Sequence, residues 1–114
     1  MYDNKYVKFK YNVSSEALNV IREIAPLNTN YIESYVNVKY MGMLDYMNLY
    51  LICDYDSYET PDGKHAMDYT RPLGIIGQNE SDAMYNYRTI TGASYCTCIS
   101  ELVSGCRNIA VEPM

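Results

Sequence analysis

The chain has 114 residues, a formal net charge of −5, 48% hydrophobic and 20% charged residues, and fourteen tyrosines against one phenylalanine and no tryptophan. That balance excludes a disordered segment, which needs low hydrophobicity with high net charge, and the length suits one core, so residues 1–114 are expected to form a single domain. Apolar runs such as Leu51–Cys53 are far too short to span a bilayer, the N-terminal MYDNKYVKFK lacks a signal-like apolar core, and an acidic chain repels long polyanions. The expectation is a cytoplasmic protein that binds neither membrane nor long nucleic acid directly.

In chain order, Val7, Phe9, Tyr11 and Val13 alternate with Tyr6, Lys8, Lys10 and Asn12, the period of two of a half-buried strand. Ser14 then offers an N-cap oxygen, and Ala17, Leu18, Ile21, Ile24 and Ala25 follow helical spacing, which predicts a helix from Ser15 to Ala25 closed by Pro26. Ile32, Val36, Val38 and Tyr40 share one face of a second predicted strand, and Gly42–Tyr46 reads as a hairpin loop. Met47, Leu49, Leu51, Cys53 and Tyr55 alternate in a third strand, Met47–Asp56, although the same residues fit a helix by propensity. Pro61-Asp62-Gly63 is the clearest turn in the chain and predicts a second, projecting hairpin between Tyr58–Thr60 and His65–Met67. Asn79 can cap a short helix that carries Ala83, Met84 and Tyr87 on one face. Beyond Gly92 the segment from Tyr95 reads as a strand to Ile99 or as the start of a helix through Val103, and Asn108–Glu112 reads as extended.

This order of elements resembles the ferredoxin-like βαββαβ pattern with an acidic β-hairpin inserted before its second helix. The resemblance implies an α+β fold with an antiparallel sheet and both helices on one face. The open face would then present Tyr6, Lys8, Lys10, Tyr35, Lys39 and Tyr50, rings and ammonium groups suited to a small nucleotide or to a second copy of the chain in a homodimer.

The stretch from Asp45 to Tyr69 holds Asp45, Asp54, Asp56, Glu59, Asp62 and Asp68 against Lys64 alone, a surplus equal to the whole net charge of −5. Carboxylates spaced along a strand and its turn can imitate a phosphate backbone and occupy the basic groove of a nucleic-acid enzyme. The bland reading is a solvated hairpin whose charges keep an edge strand from pairing with neighbours. A calcium loop fails, because its glycine position is Glu59 and its terminal glutamate is missing. Zinc fails on spacing, since one residue separates Cys96 from Cys98 while Cys106 and Cys53 are remote, so the four cysteines read as buried free thiols.

No nucleophile motif or phosphate-cradling glycine loop accompanies the lone His65, and neither cofactor nor metal is expected. The leading expectation is a small, acidic, non-enzymatic binding or inhibitor protein. Its partner is a protein with a basic surface, met by Asp45, Asp54, Asp56, Tyr58, Glu59, Asp62 and Asp68. In its sharp form this is a phage-encoded anti-defence protein, acting in the host cytoplasm on a nucleic-acid-processing enzyme such as a defence nuclease. Two alternatives stand beside it: a nucleotide-sequestering module on the tyrosine and lysine face, and an enzyme or metal protein centred on His65.

Overall fold

The structure, a computed structural model, describes residues 5–24 and 29–111. Its elements are β1 (Tyr6–Asn12), α1 (Ser15–Ile24), β2 (Tyr31–Asn37), a 3-10 segment (Val38–Tyr46), β3 (Asn48–Glu59), β4 (His65–Gly77), α2 (Glu80–Thr91) and β5 (Thr97–Ser104). They form an α+β fold around one five-stranded sheet in the order β1-β2-β4-β3-β5.

The caps read from sequence are present. The Ala17 amide donates to Ser14 Oγ at 3.2 Å, and the Asp82 amide donates to Asn79 Oδ1 at 2.9 Å, each satisfying a donor that a first helical turn otherwise leaves open. The predicted end of α1 at Ala25 and Pro26 lies outside the described residues, as does Glu112 at the end of the final extended segment. Within that segment, Asn108–Val111 contains no regular strand.

Several topological expectations are corrected. A split βαβ unit sets its two strands parallel across an intervening strand, whereas β1 and β2 are antiparallel neighbours, from Tyr6↔Asn37 to Asn12↔Tyr31. The sheet is mixed, because β2 runs parallel to β4 through Ser34↔Gly74 and Tyr35↔Ile75. That contact is close: a Cβ on Gly74 would stand 2.3 Å from Ser34 Oγ. The second strand also ends three residues early. Asn37 Oδ1 accepts from the Lys39 amide, which turns the chain into the 3-10 segment, so Val38 is exposed and Tyr40 enters the core from a helical turn. No hairpin therefore joins β2 to β3. Nor is the acidic hairpin a separate insertion, since its arms are the outer halves of β3 and β4, paired through Glu59↔His65.

Helices cover both faces of the sheet. On one face, Ile21 of α1 packs with Ile32 and Leu51, while Phe9, Val36, Leu49 and Ile76 pack with Tyr40 and Cys106. On the other, Ala83 and Tyr87 of α2 pack on Tyr50, Ile52 and Ile75. The central strands are thus apolar on both sides, and Leu49 through Cys53 are all buried.

The β3–β4 ladder is interrupted once, by a register shift between Ile52 and Asp54. Arg71 takes a positive φ of 51° there, and Pro72 beside it has no amide to leave unpaired. The distortion is latched from two sides: the Tyr87 hydroxyl donates to the Arg71 carbonyl at 2.8 Å, and the Arg71 guanidinium pairs with Asp54.

Burial raises the phenols of Tyr40 and Tyr87 to about 12, the Cys53 and Cys98 thiols to about 12, and the Cys106 thiol to about 11. Each ionises more readily in the unfolded chain, so the stability these groups confer is fully present below their ordinary values and is lost as pH rises through the folded ones. An ultraviolet titration is expected to ionise Tyr40 and Tyr87 only with cooperative unfolding, well above the ordinary phenol range. Ionisation of Tyr40 and Tyr87 within the ordinary phenol range, with the fold intact, would contradict this packing.

Candidate functional site

Beyond Cys53, the last β3 residue paired with β5, the strands continue as a two-stranded ribbon, Asp54–Glu59 against His65–Thr70. The molecule measures 50 × 34 × 24 Å. Cross-strand partners place Asp56 opposite Asp68 and Tyr58 opposite Ala66 on one side of the ribbon; Tyr55 opposite Tyr69 and Ser57 opposite Met67 occupy the other. Tyr55 also meets the Tyr95 ring, centroids 6.2 Å apart, where the ribbon leaves the body.

The predicted acidic set is only partly brought together. Asp45 sits in the 3-10 segment at the far end of β3 and pairs with Arg107 at 3.5 Å. Asp54 is committed to Arg71 and also accepts from the Tyr55 amide. Asp62 organises the turn: the Thr60 hydroxyl and the Lys64 amide hydrogen-bond to its carboxylate and hold its carboxyl below the usual range. Asp56, Tyr58, Glu59 and Asp68 remain exposed, and among the described residues Asp56 and Asp68 have no ion-pair partner.

α2 covers the predicted tyrosine and lysine face at Tyr50, while Lys8 and Lys10 on β1 stay exposed. Tyr50 is 5% exposed, with its hydroxyl accepting from Asn48 Nδ2 at 3.0 Å. Tyr35 is half-buried beside the same cluster, and that burial raises its phenol. Lys8 is paired with Glu33, which raises its ammonium, and Lys10 lies 4.5 Å from the centre of the Tyr31 ring.

Tyr6 and Lys39 instead meet in a groove of about 610 Å³, between the end of the β1–β2 pair and α2. From α2 it is lined by Asp82, Tyr85, Asn86 and Thr89, a polar stripe at helical spacing that the sequence reading passed over. A hydrogen-bond network forms one wall. The Tyr6 hydroxyl donates to Asn86 Oδ1 at 3.0 Å, the Tyr40 hydroxyl donates to Asp82 Oδ2 at 2.7 Å, and the Gln78 amide donates to the same oxygen at 2.9 Å. Burial and then the Asp82 bond raise the Tyr40 phenol; the Asn86 amide lies near enough to oppose part of that rise, yet no hydrogen bond to its Nδ2 closes with proper geometry.

His65 is exposed on the ribbon across from Glu59. Among the described residues, no group of three or more His, Cys, Asp or Glu side chains is placed to hold a metal, and no helix is long and apolar enough to cross a membrane. The cysteines are free thiols; Cys53 and Cys106 are buried, while Cys96 and Cys98 are only half-buried. Cys96 is contacted by Arg88 Nη1 at 3.6 Å, but burial outweighs this cation and raises the thiol, the reverse of an activated nucleophile.

Protein-family models, curated proteins and solved structures were compared with the chain, and none matches.

Proposed function

We propose that the protein is a small, acidic, non-enzymatic binding protein that docks the outer ribbon of β3 and β4 on a basic surface of a protein partner and inhibits it. The observation that carries this reading is the exposed pair Asp56 and Asp68, directly opposite one another with no cation between them. Like charges in that arrangement destabilise a ladder, by roughly 0.2–1 kcal/mol for typical cross-strand pairs. Protection of an edge against stray pairing needs only isolated charges and no facing carboxylates. A partner that supplies cations between them offsets the repulsion and draws the largest gain from this position. Tyr58 at 47% exposure and Met67 at 41% add contact area on the ribbon's two sides. In the sharp form, the partner is a nucleic-acid-processing enzyme, such as a defence nuclease countered by a phage, whose cationic groove accepts spaced negative charge.

The test is charge reversal at the facing pair, with Asp54 left intact because it latches the bulge. Asp68→Lys creates an attractive pair with Asp56 and is expected to raise the melting temperature by about 1–4 °C. The double variant Asp56→Lys/Asp68→Lys should remain folded yet fail to retain the partner that immobilised wild-type protein captures from host lysate, and that partner should be released by nucleic acid in competition. Retention of the same partner at unchanged affinity by the folded double variant would end this reading.

A further inference from the structure

We infer that the groove between the end of the β1–β2 pair and α2 is a second binding site, for a small molecule that joins a flat ring to an anionic group, the chemistry of a mononucleotide. Its volume of about 610 Å³ lies within the range of about 300–1,000 Å³ typical of small-ligand pockets and is far too small for a protein or a long polymer.

Three features of the lining point to this chemistry. Tyr85 lines the groove and is 61% exposed, and its ring offers a planar surface on which a flat ring can stack. Lys39 stands on the opposite wall, 5.2 Å from the centre of the Tyr40 ring, with no carboxylate partner among the described residues. It is the cation for an anionic group. Asn86 is 3% exposed, and its Nδ2 makes no hydrogen bond within the described structure, although Oδ1 is held by Tyr6. A buried amide donor left open is costly, and Asn86 lines the groove, where an acceptor on the ligand would satisfy it.

The acid of the site, Asp82, does not oppose this. Its carboxylate already accepts from the Tyr40 hydroxyl and the Gln78 amide, so its charge is met by donors of the protein. The wall carrying Lys39 is tied down in turn: the Val38 amide donates to the Lys5 carbonyl, and Asn37 Oδ1 accepts from the Lys39 amide. The groove is therefore formed before a ligand arrives.

Isothermal titration of the full chain with AMP, GMP, CMP and UMP, the matching nucleosides, benzoate and inorganic phosphate tests the assignment. Saturable binding of at least one nucleotide, weakened about tenfold or more by Tyr85→Ala and by Lys39→Glu, is expected. Binding of benzoate alone, with the same sensitivity to both variants, would keep the ring-plus-anion chemistry and name a carboxylate as its source. Both substitutions fall on exposed side chains, and the fold of each variant is checked by its melting curve. No saturable binding of any ring-bearing anion overturns the inference, as does a nucleoside that binds as tightly as its nucleotide, phosphate that binds as tightly as either, or indifference to both variants. The site is independent of the ribbon, so Asp56→Lys/Asp68→Lys should leave nucleotide affinity unchanged; a loss there would also count against it.

Discussion

Tyr87→Ala is expected to remove about 3–5 kcal/mol of stability, a third or more of what a domain of this size usually has. The ring is fully buried between α2 and the sheet, in contact with the cluster of Tyr50, Ile52 and Ile75, and its truncation leaves a cavity that neighbouring strands cannot collapse to fill. The hydroxyl adds a second loss, because the Arg71 carbonyl that accepts from it belongs to a residue held at positive φ. Thermal unfolding should show a fall in melting temperature of more than about 10 °C. Tyr87→Phe separates the two contributions. It keeps the ring and should lose only about 1–2 kcal/mol, with faster amide exchange along the ribbon. If Tyr87→Ala melts within about 2 °C of wild type, α2 does not pack on the sheet as described.

Gly77→Ala is the second large effect. A Cβ at this position would stand 2.8 Å from the Ala83 backbone nitrogen and 3.1 Å from its Cα, so the obstacle is the backbone of α2, which no rotamer change can move aside. The helix must shift outward, at a cost of about 1–3 kcal/mol or more. Urea unfolding measures that loss directly. The same displacement disturbs the groove lined by Asp82, Tyr85 and Asn86, so a nucleotide that binds wild type should bind Gly77→Ala more weakly even after the comparison is restricted to folded protein. Unchanged stability would mean that Gly77 and Ala83 are not in contact.

The elements that sequence reading located well are those marked by a local signal. Ser14 and Asn79 announce their helices because a side-chain oxygen beside the first turn is a contact within three residues, and Val7, Phe9 and Tyr11 announce β1 by alternation alone. Pro61-Asp62-Gly63 announced the turn, since Gly63 adopts φ 82° and Asp62 caps its own neighbours. The layer arrangement was less legible, because it depends on a parallel contact between Ser34 and Gly74, forty residues apart, that no local pattern encodes. One signal did exist. Leu49 to Cys53 is a continuous apolar run, and a strand with one wet face alternates instead, so both faces of β3 had to be covered.

Much the same holds for the two sites. The acid count of residues 45–69 was plain from sequence, but which acids stay exposed was decided by partners outside the stretch: Arg107 for Asp45 and Arg71 for Asp54. Val38 and Tyr40 continued the period of two of the preceding strand, which hid the cap at Asn37 and with it the wall of the groove. The opposite wall was written in the chain as Asp82, Tyr85, Asn86 and Thr89, one polar stripe on a helix whose apolar stripe drew the attention.

The place of β5 has a consequence for how the chain is made. β3 lies between β4 and β5, and β5 follows the other described strands in the sequence. Until residues 97–104 arrive, the edge formed by Leu49, Tyr50, Leu51, Ile52 and Cys53 has open amides and carbonyls and no charge among them. Asp54 and Asp56 follow in the same strand, so charge flanks this edge during the interval before β5 pairs with it.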